Sequence, residues 1–388
     1  MSQCLLQEWY LCSAEYPSVI LRHLSIVNFK NYAEAELEFC SGANCLVGEN
    51  GAGKTTVLDA IHYLSLCKSY FNAIDSQNVK YGEGFFLLQG RFSVGEDEED
   101  KLSCGVQPGQ KKQFRRNDKE YSRLADHIGK YPVVMLTPND IDLIKEGSEE
   151  RRRFIDSIIS QYSRAYLDAL LDYNRALNQR NNLLKYFAEN TTFDADMLVV
   201  WDEQLIRHGE IIHDERKRFV EQFIPQFEDL HAYISQKKER VALGHISQLN
   251  DASFPQLLAE NHRRDVAARR TTVGVHKDDL DFLIDGNPIR RFGSQGQQKT
   301  YLIALKLAQF SFIEQATGLK PLLLLDDIFD KIDDKRVAAL MRLVSDGRFG
   351  QIFITDTGED RIPKLFRDIG AEMRIFNVGE GVVNALTE

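Results

Sequence analysis

The spacing of apolar residues divides this chain into stretches of different period. Residues 20–47 read as strands: VILRHLSIVNF, then AEAELEF with its period-two alternation, then NCLV. Short strands continue over 86–134, and the acidic run at 96–100 is expected at a solvated hairpin tip. Near residue 138 the texture changes. Ser148, followed by Glu149 and Glu150, marks a helix N-terminus, after which Phe154, Ile155, Ile158, Ile159 and Tyr162 recur at helical spacing. Leu167, Leu170, Leu171, Leu177 and Leu184 are expected to extend that face. Further helical blocks are expected over 197–223 and 254–268. Strands return at 271–275 and 280–284, with Asp285-Gly286-Asn287 as a hairpin turn. The end alternates helix and strand at 297–316, 321–326, 335–345 and 351–355. A β/α stretch, an all-helical insertion and a second β/α stretch fit one interrupted head domain better than two consecutive domains.

Composition narrows the class. The 388 residues are 43% hydrophobic and 27% charged, with only nine prolines, an ordinary globular balance. The formal net charge of −10 excludes a generally basic nucleic-acid coat, so a DNA partner would have to meet a local basic face. The aliphatic run Leu322–Leu325 is far short of the ~20 apolar residues of a membrane helix. The first residues carry Glu8 and Glu15 and no basic segment, unlike a secretory signal, and a cytoplasmic protein is expected. Cysteines at 4, 12, 40, 45, 67 and 104 form no CxxC pair, so reduced thiols are expected rather than disulfides or zinc.

Chemistry concentrates at two places. Gly48-Glu49-Asn50-Gly51-Ala52-Gly53-Lys54-Thr55, followed by Thr56, matches G-x-x-x-x-G-K-[ST]. The apolar run Cys45-Leu46-Val47 precedes it, and Val57, Leu58, Ile61 and Leu64 form a helical stripe after it. Strand, glycine loop and helix start would aim backbone N–H groups at phosphates. Lys54 would pair with the β- and γ-phosphates, and the Thr55 hydroxyl would ligate Mg²⁺. A nucleoside triphosphate is the expected ligand. The apolar strand Leu322–Leu325 ends in Asp326 and Asp327. Asp326 is placed to hold Mg²⁺ and Asp327 to orient or deprotonate the attacking water, although strand-terminal acids also serve as helix caps. Aspartate is one methylene shorter than glutamate, so slow hydrolysis is expected. Asp330 and Asp333 follow, for a dimer seam or a helix cap.

Phe292-Gly293-Ser294-Gln295-Gly296-Gln297-Gln298 opens an amphipathic helix about 28 residues before the metal carboxylate. With GENGAGKT and LLLLDD, it resembles the S-x-G-Q signature of ABC-type ATPases. That resemblance implies that Ser294, Gly296 and Gln297 reach the γ-phosphate bound to a second subunit, so that two heads sandwich two ATP molecules. Within the superfamily the chain resembles the RecF family over about residues 20–380. LSIVNFKNY, CKSYF, GSEERRRFID, LNQRNNLL, VGVHKDDLDFLIDG, GSQGQQKTYLIALKLAQ and LLLLDDIFDKID carry the likeness. It implies an α/β fold: an ABC-type P-loop ATPase head of mixed sheet, in parts 19–137 and 269–388, interrupted by an all-helical arm over 138–268. It implies ATP and Mg²⁺ as cofactors and an ATP-dependent homodimer with weak, DNA-stimulated ATPase. It further implies action at single-strand gaps or single-strand/duplex junctions in DNA, with recombination mediator proteins and a recombinase as partners. Residues 1–18 have no counterpart, and are expected to be a disordered extension or to reflect a start placed too far upstream.

The pattern departs from the superfamily at two points. Thr355 or Asp356 stands where ABC heads usually carry a γ-phosphate-sensing histidine, and Gln77 and Gln89 both qualify for the Q-loop. Basic clusters offer DNA contacts: Lys111, Lys112, Arg115 and Arg116 around Phe114; Arg151, Arg152 and Arg153; and Arg263, Arg264, Arg269 and Arg270. The alternative is a solvated or salt-bridged face. Three successive arginines span about 200° of helix arc, so one is expected to pack or pair with Glu149, Glu150 or Asp156. No base-reading module is visible, so any specificity would be for DNA shape. His276 is either a hydrogen-bonded structural group or a functional one near the nucleotide. Rival readings are the nucleotide-binding subunit of a transporter, a non-hydrolysing SMC-like DNA clamp and an ATP-dependent nuclease.

Overall fold

A computed structural model of the chain describes residues 16–95, 99–190, 192, 194–328, 348–358, 372–379 and 381–386. The expected helix at 335–345, Asp330, Asp333 and residues 96–98 of the acidic tip lie outside the described residues, as do residues 1–15. The strands in chain order are β1 (Val19–Phe29), β2 (Tyr32–Glu38), β3 (Ala43–Val47), β4 (Phe86–Val94), β5 (Asp100–Val106), β6 (Gln113–Arg116), β7 (Lys119–Glu120) and β8 (Val133–Leu136). After the insertion come β9 (Val241–Ile246), β10 (Asp279–Ile284), β11 (Asn287–Pro288), β12 (Leu322–Leu325), β13 (Ile352–Asp356), β14 (Met373–Gly379) and β15 (Val382–Leu386). By compactness the chain forms two units, Met1–Pro138 with Gln309–Glu388, and Asn139–Ala308. Residues 269–308 therefore group with the arm, where the sequence reading put them with the head.

Among its described residues the head unit has two six-stranded sheets. One is antiparallel in the order β2-β1-β4-β5-β6-β7. The other runs β15-β14-β3-β13-β12-β8, and its β8, β12, β13, β3 and β14 are mutually parallel. Their sequences are near-continuous apolar runs such as VVML, LLLL and ANCLV, as a sheet buried on both faces requires. The interruption is visible in the pairing, because β3 and β8 from before the insertion lie beside β13 and β12 from after it. Helix Lys54–Leu66 leaves only Thr55 short of full burial. A helix that is covered all round belongs inside a layer, and this one packs on strands of both sheets. Phe39 meets Phe353 and Phe376 edge-to-face at 4.9 and 5.4 Å, and Gln351 ties the layers by hydrogen bonds to Leu21 N, Leu21 O and Cys40 O.

The arm unit holds helices Ser148–Tyr162, Arg164–Asn190, Asp196–Ser235 and Phe254–Ala268, with a three-stranded sheet in the order β11-β10-β9. Among the described residues of 138–268 the one strand is β9, which pairs antiparallel with β10. Residues 271–275 form a loop rather than a strand. The second helical block continues to Ser235, straight through Pro225. Its buried positions Phe219, Phe223, Phe227, Leu230 and Ile234 keep helical spacing across the proline, so packing outweighs the lost backbone hydrogen bond. The buried face of helix Arg164–Asn190 consists of Tyr166, Ala169, Tyr173, Ala176, Arg180, Leu184 and Phe187, while Leu171 is exposed. Two fully buried arginines organise this unit. Arg180 bonds Asp202, Asp265 and Thr271, and Arg216 bonds Asp156, Asp278, Tyr166 and Val275 O. Among the described residues no helix is long and apolar enough to cross a membrane.

Candidate active site

The glycine loop joins the end of β3 to helix Lys54–Leu66 at the carboxyl edge of the parallel sheet. A Cβ on Gly48 would run into Val378 O of β14. Gly53 has φ 119°, and a Cβ there would lie 2.6 Å from Asn31 Nδ2 and 2.8 Å from the Tyr32 ring. These contacts belong to a clamp on the loop. Asn31 Nδ2 donates to Ala52 O at 3.4 Å, Asn31 Oδ1 accepts from Thr56 Oγ1 at 2.7 Å, and Tyr32 OH donates to Gly53 O at 3.3 Å. Burial pushes the Tyr32 phenol up, which keeps it a donor. Lys54 is buried, and its Nζ donates to Gly48 O at 2.7 Å and Glu49 O at 2.9 Å, drawing the loop around the ammonium. Sequence reasoning missed Asn31 and Tyr32 as site residues. The available signal was the tight β1–β2 turn in FKNY, where an asparagine side chain readily bonds a neighbouring backbone.

Thr55 Oγ1 donates to both carboxylate oxygens of Asp326, at 2.9 and 3.0 Å. These are the two residues assigned to Mg²⁺, and they come from segments 271 positions apart. Asp326 is itself held by Thr355 Oγ1, which donates to its Oδ1 at 2.8 Å. Asp327 follows with φ 44°, and its N–H donates to Thr355 Oγ1 at 2.9 Å. Asp356 O accepts from Gly48 N at 3.3 Å. Lys54, Thr55, Asp326, Asp327, Thr355 and Asp356 are thus gathered around one loop. Gln77 and Gln89 are both exposed.

Ser294, Gly296 and Gln297 belong to the other compact unit. Ser294 Oγ accepts from Gln297 N at 3.2 Å while Gln297 Oε1 accepts from Ser294 N at 2.8 Å, a capping box opening helix Gln295–Thr317. Ser294 is exposed at that helix start.

The basic residues separate into two kinds. Lys112 lies against Asp75 at 2.8 Å, Tyr63 OH and Cys67 O, and Arg116 pairs with Asp100. Arg151 grips Asp279 through two nitrogens at 2.6 and 3.1 Å, and Arg152 donates to Asp278 O. Arg153 pairs with Glu149 and Glu150, the partners the helix arc called for. Lys111, Arg115, Arg263 and Arg264 are exposed. His276 sits between Tyr173 OH at 2.8 Å and Thr271 O at 3.1 Å, and burial pushes it down to about 4, so it is a neutral group inside the arm.

A phosphate loop facing two strand-terminal acids, in a mixed sheet interrupted by a largely helical arm, defines an ABC-type P-loop ATPase head. The family description RecF/RecN/SMC N terminal domain matches residues 20–374. The DNA replication and repair protein RecF of Phocaeicola vulgatus is 49% identical over 371 residues, covering 95% of this chain and 99% of that one. A solved structure of the recombination mediator protein RecF with ATP, of the RecFOR pathway, superposes with a TM-score of 0.86 at 30% identity, covering 96% of this chain and 99% of that one. The Smc head domain of Pyrococcus furiosus bound to the C-terminal domain of ScpA reaches a TM-score of 0.55 at 18% identity over 95% of this chain and 96% of that one, a likeness of fold. The chain belongs to the RecF family.

Proposed function

We propose that this chain is an ATP-dependent DNA-binding recombination mediator that acts at single-strand gaps and junctions. The observation that carries the reading is the meeting of Thr55 with Asp326 beside a glycine loop already closed around Lys54. One hydroxyl and one carboxylate are the protein share of a Mg²⁺ site whose other ligands are water and phosphate oxygens, so the donor set fits that ion. Bound there, Mg²⁺ would neutralise charge on the β- and γ-phosphates. Residues 48–56 cradle the phosphates with backbone N–H groups, Lys54 stabilises the transferring phosphoryl group, and Asp327 orients the attacking water. Ser294, Gly296 and Gln297 of a second copy complete the site, so ATP holds a homodimer and slow hydrolysis releases it. Of the basic clusters, the exposed cations Lys111, Arg115, Arg263, Arg264, Arg269 and Arg270 are available for DNA phosphates, whereas Lys112, Arg116, Arg151 and Arg152 hold the fold. The partners are mediator proteins and the recombinase that they load, and the compartment is the cytoplasm.

The test is fluorescence anisotropy on gapped duplex DNA at fixed salt, with and without Mg²⁺-ATP. Binding should require ATP, disappear in Lys54→Ala, and disappear in Ser294→Arg although that variant still binds nucleotide. ATP-independent binding, or a normal ATP-dependent dimer of Ser294→Arg, would overturn the proposal.

A further inference from the structure

Thr355 is fully buried at the end of β13, beside the strand that delivers the two acids. Its hydroxyl is committed in both directions, donating to Asp326 Oδ1 at 2.8 Å and accepting from Asp327 N at 2.9 Å. Asp327 has a left-handed backbone, φ 44°, which a residue with a Cβ adopts only at a cost and which the hydroxyl helps to hold. Asp326 Oδ1 also accepts from Thr55, so a single carboxylate oxygen joins the phosphate-loop helix to β13.

We infer that Thr355 is the positioning residue for the acid pair: it fixes the Asp326 carboxylate with one half of its hydroxyl and the Asp327 main chain with the other. A sensor of the γ-phosphate would have to present a polar group to the ligand, whereas this hydroxyl has no exposure and both its bonds point at the acids. The inference rests on the nucleotide reading above. Hydroxyl chemistry is what the place requires, because the group must donate to a carboxylate and accept from an N–H at once. Valine matches threonine in shape and does neither, whereas serine does both.

The experiment compares wild type, Thr355→Val, Thr355→Ser and Lys54→Ala in two assays: binding of a fluorescent ATP analogue as Mg²⁺ is titrated from zero, and ATP turnover. Thr355→Val should bind the analogue without Mg²⁺ within about twofold of wild type, which also reports that it folds. Its kcat, and its apparent Mg²⁺ affinity in the binding assay, should fall roughly 10- to 100-fold, the usual effect of removing a partner behind a metal ligand. Thr355→Ser should recover most of both. If Thr355→Val keeps wild-type kcat and Mg²⁺ requirement, the inference falls while the nucleotide reading stands. Thr355→Ser as impaired as Thr355→Val, or Thr355→Val losing Mg²⁺-free binding as Lys54→Ala does, would make Thr355 a packing residue and overturn it. Should wild type bind but not turn over, the Mg²⁺ titration alone decides. Wild type that binds no nucleotide overturns both readings.

Discussion

Replacing Arg180 by methionine tests the ion network on which the arm is built. The guanidinium has no exposure; its Nε donates to Asp202 Oδ1 at 2.5 Å and its Nη1 to Asp265 Oδ2 at 2.6 Å and Thr271 Oγ1 at 3.0 Å. Methionine preserves most of the volume and removes every donor. Asp202 is 14% exposed and has His262 at 3.2 Å, so it can rehydrate. Asp265 cannot: its side chain is 0% exposed, and it keeps only the Thr272 N–H and hydroxyl on Oδ1. Breaking a buried pair costs about 3–5 kcal/mol because the surviving charge is stranded. The hydrated Asp202 side, together with an Arg180 Nη2 that already has no partner, sets the expectation at the low end, about 3 kcal/mol. For a unit of this size that corresponds to a Tm lower by roughly 6–12 °C. Trp201, next to Asp202 on helix Asp196–Ser235, serves as the fluorescence probe in urea unfolding. Adding Asp265→Asn removes the stranded charge and should return about half of the loss. A single-variant loss below about 1 kcal/mol, or a double variant no more stable than the single, would refute the reasoning.

Other tests read other parts of the molecule. His127 and His276 are each pushed down by burial to about 4, below the ordinary histidine value of 6.5. The unfolded chain takes up their protons first, so stability should be complete above pH 6.5 and decline as pH falls toward 4, by at most about 3 kcal/mol for each; a flat urea-midpoint profile over that window would contradict their neutral burial. Gly53→Ala should displace the Asn31–Tyr32 clamp and weaken ATP binding at least ~10-fold, because the left-handed backbone and the clash act together; titration with labelled ATP measures it, and wild-type affinity would discredit the clamp. Removing both Lys111 and Arg115 should reduce the slope of log affinity for DNA against log salt by up to about 2. An unchanged slope would exclude the β5–β6 hairpin from the DNA face.

The head was legible because its signals are local. The buried runs LLLL and ANCLV read as strands, and the glycine loop needs its residues consecutive. Asn31 reaches the site from the β1–β2 turn and Tyr32 from β2, and no spacing rule links them to it, whereas Thr355 is legible only through the family resemblance, which puts Thr355 or Asp356 where a sensing histidine usually stands. In the arm, the leucine spacing predicts the inner face of helix Arg164–Asn190, but Arg180 occupies its middle and Leu171 faces out. A charged residue reads as surface until its partners are known, and Asp265 lies 85 positions away. The helix expected to end at 223 runs on to Ser235 because apolar packing on both sides of Pro225 holds it, and the β-branched residues of 271–275 imitate a strand where the chain makes a loop. The segments GSEERRRFID and VGVHKDD, conspicuous in the sequence, meet through Arg151–Asp279 and Arg152–Asp278, so their residue choice records pairing within the arm.

The backbone at Asp327 also constrains which acid can stand there. A φ of 44° belongs to a region in which aspartate and asparagine are several-fold enriched, because a short polar side chain can bond its own neighbourhood. Glutamate has no such local bond to offset the conformation. Lengthening this side chain by one methylene is therefore a change of chain geometry before it is a change of reach. The main chain, having turned left at the end of β12, favours the shorter carboxylate at this position.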